Sequence, residues 1–340
     1  MAQYDVNIDL ANQAKKEMSD IIATADPRVL NRLGAFSALF EVDFSRYRQP
    51  ILVLKTEEPG SKQLLAMQYD RIEGVCHDMI NHLVNDCVVM GAEPLTVQDA
   101  IICGKMDKEI ITRIVRSLTE ACRNNDCILT GGETSEQPKV LGENTYILTS
   151  SIVGIVEKSD ILDGSAIEAG DIVLSLASNG VHTNGYTLVR TILAEHPELL
   201  TQDIDGETFL DAVLKPHRAY YPILRGLFSQ HILHGLAHIT GGGIRENLNR
   251  ILPSGLDAQI DLSAYKIPTI FRVLREVGQV SDAEMLRTFN MGVGIAAVTA
   301  PAHVDTVIAH CQRLGVACMP IGVIQPGNQT VQTVGTLQWK

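Results

Sequence analysis

Asn85-Asp86-Cys87-Val88-Val89-Met90-Gly91-Ala92-Glu93-Pro94 carries the chain from one periodicity into another. Upstream, Ile72, Cys76, Ile80, Leu83, Val84, Cys87 and Val88 recur at helical spacing, which predicts a helix over 72–90. Downstream, residues 95–103 read as a strand. Gly91-Ala92 makes the turn between them and Pro94 blocks a return to helix. Asp86 therefore stands at a helix end beside a tight backbone turn. Two readings of its carboxylate stay open. It is a ligand for a magnesium-bound phosphate, because Mg²⁺ takes a few carboxylate oxygens and leaves its other positions to phosphate and water. Alternatively it is a solvated helix terminator.

Further out, strands are expected at 51–55, 127–130 and 146–156. Helices are expected at 10–25 and 107–124, the latter capped by Asp107. Turn-rich residues 160–170 mark a boundary, giving domains 1–165 and 166–340. The second domain predicts strands at 172–177, 235–239, 258–262, 294–299 and 317–323. Its helices are expected at 184–195 (capped by Asn184), 216–228, 244–251, 269–277 and 303–314. Strands and helices mix without strict βαβ alternation, so the fold class is α+β.

A chain of 340 residues is long for one core, which agrees with two domains. The net charge of −12 argues against a nucleic-acid or anionic-membrane surface. No secretory signal and no membrane-length apolar run is visible, so a cytoplasmic protein is expected. Seven cysteines without a CxxC pair read as reduced buried thiols.

Four polar or glycine-bearing loops follow strands: Thr56–Lys62, Thr130–Thr134, Asn179–Gly185 and His238–Gly243. Glycines let backbone N–H groups approach phosphate oxygens, so the set suggests a polyphosphate or phosphosugar site, best at Gly241-Gly242-Gly243. Each loop taken alone also reads as a plain turn. No GxxxxGK[ST] is present, and the GxGxxA match at 292–297 leads into an apolar strand, so neither P-loop nor dinucleotide fingerprint is supported. His182, between two glycine turns, is expected near the surface, as a phosphate donor, an acid or base, or simply a solvated histidine. Glu73, His77, Asn81 and Asn85 form a polar helix face that is either solvated or lines a site with Asp86.

These residues resemble the phosphoribosylformylglycinamidine cyclo-ligase (aminoimidazole ribonucleotide synthetase) family. The resemblance runs from about Val6 to Gly322. Its carriers include Asn85–Pro94, Gly131-Gly132-Glu133-Thr134, His182–Tyr186, Ala237–Gly243 with Glu246-Asn247, and Arg287-Thr288-Phe289-Asn290. It implies a two-domain α+β fold whose N-terminal domains pair in a homodimer. The implied reaction is an ATP- and Mg²⁺-dependent ring closure on a phosphoribosyl substrate. ATP phosphorylates a formamide oxygen, and an amidine nitrogen then displaces phosphate.

Carried over by resemblance, Asp86 ligates magnesium and Lys62 neutralises ATP phosphates, with Thr56 and Ser61 in the same loop. Glu133 serves metal or substrate, and His182, Asn184, Thr240, Gly241, Gly242 and Gly243 contact nucleotide or substrate. The sequence departs from the family at the phosphate loop, Lys55-Thr56-Glu57-Glu58-Pro59-Gly60-Ser61-Lys62, where the family reads roughly G-T-D-G-V-G-T-K. Glu57 takes the aspartate position as a candidate metal ligand. Ile147 stands where an aspartate is expected, and Gln3-Tyr4-Asp5-Val6 lacks the family's lid lysine. Alternative readings are a paralogue using ATP on another amide or formyl substrate, a phosphotransferase relative, and a non-catalytic dimeric ligand-binding protein.

Overall fold

The computed structural model describes residues 21–22, 26–31 and 35–339. The expected helix over 10–25 lies outside the described residues except at Ile21 and Ile22, and Gln3–Val6 lies outside altogether.

The first domain is a four-stranded sheet of β1 (Pro50–Glu57), β2 (Glu93–Cys103), β3 (Ile128–Glu136) and β4 (Tyr146–Glu157), in the order β1-β4-β2-β3. One face is covered by α1 (Lys62–Gln68), α2 (Ile72–Val88) and α3 (Lys108–Asn124). The second sheet has six strands: β5 (Ile172–Ala177), β8 (Leu233–His238), β9 (Leu256–Asp261), β10 (Val293–Thr299), β11 (Cys318–Pro326) and β12 (Val331–Val334). Their order is β12-β9-β11-β5-β10-β8. A two-strand ribbon, β6 (Asp203–Ile204) and β7 (Glu207–Thr208), stands apart. The second domain's helices are α4 (Tyr186–Glu195), α5 (Phe209–Leu214), α6 (Tyr221–Phe228), α7 (Gly243–Asn249), α8 (Thr269–Val277), α9 (Asp282–Thr288) and α10 (Val304–Arg313). Among the strands of the described residues, only β2–β3 and β9–β12 pair in parallel, so the α+β class holds.

Helix α2 orders the molecule. Val75, Cys76, Met79, Ile80, Leu83, Val84 and Cys87 are buried to 1% exposure or less, each large aliphatic contributing roughly 1.5–3 kcal/mol. The helix ends where Gly91 takes φ +80° and returns its N–H to Val88 O at 2.8 Å. Asp107 caps α3, accepting from Glu109 N and Ile110 N.

Several expectations need correction. Gly131–Thr134 is not a turn but the middle of β3, paired with β2; a Cβ on Gly132 would run into the Asp99 carbonyl. Lys62, expected in a loop, opens α1. Asn184 does not cap α4; Gly185 does, in the left-handed region at φ +81°. The helix expected over 216–228 starts only at Tyr221, because residues 215–220 run without regular structure against α2.

Candidate functional site

Asp78, Asn81, His82, Asn85 and Asp86 fall at positions three and four apart, so they share one side of α2. That side faces the second domain rather than water. His217 N donates to Asp78 Oδ1 (2.7 Å), and Asn81 Nδ2 donates to His217 O (2.6 Å). Asn85 donates to Arg218 O and accepts from Tyr220 N, both at 2.9 Å. An irregular backbone segment cannot be buried with free N–H and C=O groups, and these side chains supply the partners. Glu73, expected on the same polar face, instead pairs with Arg113 of α3 at 2.6 Å.

At the end of α2 this docking ridge meets the end of β1. Lys55 and Glu57 lie on one side of the strand, two residues apart. Lys55 Nζ is 3.0 Å from both Glu57 Oε2 and Asp86 Oδ2. His82 Nε2 faces the same two oxygens at 3.8 and 3.7 Å. The other oxygen of Asp86 is held by His238 Nδ1 at 2.7 Å. Burial pushes the Asp86 carboxyl up, but His238, His82 and Lys55 outweigh it and hold the group well below the usual carboxylate range. Burial, with His238 nearby, pushes His82 down to about 4, so its ring is neutral at pH 7.

Behind this centre the histidines form a continuous network. His238 Nε2 meets His217 Nε2 at 3.0 Å, His217 Nδ1 meets Thr183 Oγ1 at 3.4 Å, and Thr183 Oγ1 meets His82 Nδ1 at 3.0 Å. His182 stacks on His217, with ring centroids 3.8 Å apart. Burial holds both rings well below the ordinary histidine range. His182 is 2% exposed, so the expected surface position is corrected: its loop is roofed by residues 215–220.

Lys62 is sealed, with no exposed surface. Its ammonium donates to Asp78 Oδ1 (2.8 Å), His182 O (3.0 Å) and Lys215 O (2.8 Å), which uses all three protons. In this arrangement Lys62 fastens the two domains together. The cation that faces the Glu57–Asp86 pair is Lys55.

On the far side of the 182–185 and 238–242 segments lies a cleft of about 420 Å³, lined by Asn184, Gly185, Gly241, Gly242, Glu246, Glu284, Arg287 and Thr288. The Gly242 N–H is taken by Arg287 O (3.0 Å) and the Gly243 N–H by Thr240 O (3.1 Å). Those two donors are therefore committed, and the cleft's positive charge comes from Arg287. Asn247 fixes the glycine loop, donating to Gly241 O and Gly243 O at 3.1 and 2.8 Å. The Thr240 hydroxyl faces Asn247 Oδ1 at 3.3 Å.

The expected site residues are thus partly gathered. Glu57 and Asp86 share one cation, and Asn184, Gly241 and Gly242 line one cleft. Thr183–Asn184 and His238–Gly241 connect the two places. Thr56 points to the sheet's outer face, bonding Ser151 Oγ at 2.8 Å, and Ser61 precedes α1 without a side-chain cap bond. Glu133 is exposed on β3, across two strands from β1, roughly 14 Å at ordinary strand spacing. Sequence reasoning gave no role to Lys55, His82, His217, His238 or Arg287. His82, one helical turn before Asp86, carried a readable signal, as did His238 at the head of a glycine loop and Arg287 in the run 287–290.

Protein-family models match both domains: "AIR synthase related protein, N-terminal domain" over residues 46–156, and "AIR synthase related protein, C-terminal domain" over 168–334. The phosphoribosylformylglycinamidine cyclo-ligase of Desulfitobacterium hafniense (strain DSM 10664 / DCB-2) is 39% identical over 336 residues, 97% of each chain. That of Burkholderia vietnamiensis is 41% identical over 307 residues, 90% of this chain and 87% of the relative. Among solved structures, the E. coli hydrogenase maturation protein HypE superposes with TM-score 0.67 at 16% identity, covering 97% of this chain and 98% of that one. Thiamine-monophosphate kinase from Stenotrophomonas maltophilia K279a gives 0.65 at 16%, covering 99% and 98%. These structural likenesses show the fold. The two domain matches, together with about 40% identity along nearly the whole chain, place this protein in the phosphoribosylformylglycinamidine cyclo-ligase family.

Proposed function

We propose that the protein is an ATP-dependent cyclo-ligase of purine biosynthesis, converting formylglycinamidine ribonucleotide to aminoimidazole ribonucleotide. The observation that carries this reading is a pair of places linked by the 182–185 and 238–242 segments, one at the domain junction and one in the second domain. A pair of carboxylates fit for a divalent cation lies at one end, and a glycine-bounded cleft with a guanidinium at the other. Formamide oxygen is a poor leaving group. Transfer of the ATP γ-phosphoryl to that oxygen releases ADP. Attack by the amidine nitrogen on the activated carbon then breaks the C–O bond, and phosphate leaves as the nitrogen loses its proton. The protein's contribution is alignment and charge neutralisation.

Glu57 Oε2 and Asp86 Oδ2 already converge on one positive point, Lys55 Nζ, and so fit Mg²⁺. Bound there, Mg²⁺ would neutralise triphosphate oxygens. His238 fixes Asp86 so that one oxygen stays directed outward. Arg287, Asn184 and Thr288, beside Gly241, hold the substrate phosphate in the cleft. His182 supports the site from below by stacking, and Lys62 keeps the domains closed over it. The N-terminal domains pair in a homodimer through the outer face of the first sheet, where Leu52, Leu54 and Ile147 are 50%, 71% and 40% exposed. A cytoplasmic location accords with this chemistry.

One observation favours a second reading, a non-catalytic dimeric ligand-binding protein: Lys55 already neutralises both carboxylates. Isothermal titration with a non-hydrolysable ATP analogue separates the two. The enzyme reading expects Mg²⁺-dependent binding, lost in Asp86→Asn, and free phosphate and ADP released with ring closure. No binding at millimolar nucleotide sinks it.

A further inference from the structure

We propose that Trp339 is a positioning residue for the phosphosugar cleft. Together with Arg275 it clamps the start of α9, the short helix that brings Glu284, Arg287 and Thr288 to the cleft wall. The inference rests on the reading of that cleft as the phosphate end of the substrate site. It adds a control point at the opposite end of α9 from Arg287.

The first argument is that α9 cannot fix its own direction. It has seven residues, and helices this short do not hold together in water by themselves. Its orientation is therefore set by its anchors. Met285 is fully buried on the inner side, and Ser281 Oγ caps the first turn, accepting from Glu284 N at 3.3 Å. At the cleft end, Arg287 O accepts the Gly242 N–H at 3.0 Å. The remaining anchor is Asp282, at the other end.

Both oxygens of Asp282 are engaged. Arg275 Nε, from α8, donates to Oδ1 at 2.6 Å, and Trp339 Nε1 donates to Oδ2 at 3.3 Å. The Arg275 guanidinium carbon lies 4.8 Å from the centre of the Trp339 ring, within cation–π reach. Each of the three groups thus touches the other two. Tryptophan suits the corner because it offers a broad face to the guanidinium and an N–H to the carboxylate at once. The Arg275–Asp282 pair is partly exposed and contributes little as an isolated ion pair. Its effect is on direction: a small tilt of α9 at Asp282 displaces Arg287.

The second argument is that Trp339 is itself held in place. Strand β12 pairs with β9, Gly335 then turns the chain at φ +69°, where a Cβ would meet the Asp261 carboxylate, and Leu337 is buried. Within β12, Thr333 Oγ1 accepts from Arg245 Nη2 at 2.6 Å. Arg245 belongs to α7, beside the cleft residue Glu246. One stretch, 333–339, therefore holds both helices that line the cleft, α7 through Arg245 and α9 through Asp282, and so ties their spacing together.

The test titrates the full chain with ribose 5-phosphate as a phosphosugar probe, following heat and tryptophan emission, and measures KM for formylglycinamidine ribonucleotide and for ATP. Trp339 is the only tryptophan in the chain, so emission reports on the clamp alone and is expected to change saturably as the cleft fills. Trp339→Ala and Arg275→Gln should each weaken ribose 5-phosphate and raise KM for the ribonucleotide by about 3–10-fold, with kcat and the KM for ATP within about twofold of wild type. Trp339→Phe keeps the ring face without the N–H and should recover most of the affinity. Emission that stays constant while the heat saturates overturns the proposal. So does a fall in kcat with both KM values raised alike, which would make the clamp a general stability element. If Trp339→Ala does not fold, Arg275→Gln and the wild-type emission decide. Wild-type protein that neither binds ribose 5-phosphate nor closes the ring removes the cleft reading and this proposal together, whereas wild-type binding matched by both variants removes the proposal alone.

Discussion

At the scale of single residues, Asp99 has an expected pH signature. It is 7% exposed in β2, and burial pushes its carboxyl up to about 7. The folded chain then binds a proton that the unfolded chain gives up near pH 4. The associated stability is fully present below about pH 4 and is lost as pH rises through about 7. Asp99→Asn, a neutral isostere, should stabilise the protein at pH 8, and its advantage should shrink by about 2–3 kcal/mol on going to pH 5. Denaturant melts at the two values check this, and a pH-independent difference would rule it out. Lys62 and Asp78 belong to the same scale. Lys62→Met leaves a buried carboxylate without its cation and should cost about 3–5 kcal/mol in chemical unfolding. A loss below about 1 kcal/mol would mean that the pair is not the fastener inferred from its three hydrogen bonds.

At the scale of elements, α2 works on two sides. Its apolar side builds the first domain's core, and its polar side satisfies the backbone of residues 215–220. Asn85→Ala would strand Arg218 O and Tyr220 N together, an expected loss of about 2–6 kcal/mol at 1–3 kcal/mol per orphaned group. Hydrogen exchange should show the loosening at 215–220 before it reaches β10. Uniform loosening would contradict the assignment of this face as the docking ridge. Gly185 is the second sensitive point, because a Cβ there meets the Phe289 ring and the backbone is left-handed. Gly185→Ala is expected to cost about 2–4 kcal/mol, combining strain and overpacking, and a melting temperature within one degree of the wild type would refute it.

At the scale of the whole molecule, the first sheet has one covered and one open face. Leu52, Leu54 and Ile147 stand on the open face, and Leu54 is paired in register with Val153. Leu54→Arg should yield a monomer in sedimentation velocity while circular dichroism stays unchanged. A wild-type monomer would remove the dimer proposal. The two-domain, mixed-strand architecture was legible because periodicity changes sharply at Gly91 and again past residue 158. Several element ends were not: α1 begins inside an apparent loop, and β3 runs through two glycines. In both places the neighbouring strand or helix supplies hydrogen bonds that local propensity does not encode.

The sequence by itself determined the family and the α+β class, and it singled out Asp86, Glu57, Asn184 and the 240–243 loop as site candidates, because these lie in short runs whose residue types and order are specific. Only the tertiary structure decided which lysine meets the carboxylates, that His182 is buried, and that His82, His217 and His238 join Asp86. Lys55 and Lys62 are alike in the sequence, both basic and flanking one loop. One ends on the open end of a strand and the other beneath a second domain, so burial and the partners available there, set by how the domains dock, gave them different work. Histidines far apart in the chain converge for the same reason. The polar side of α2 needs partners, and the second domain brings them.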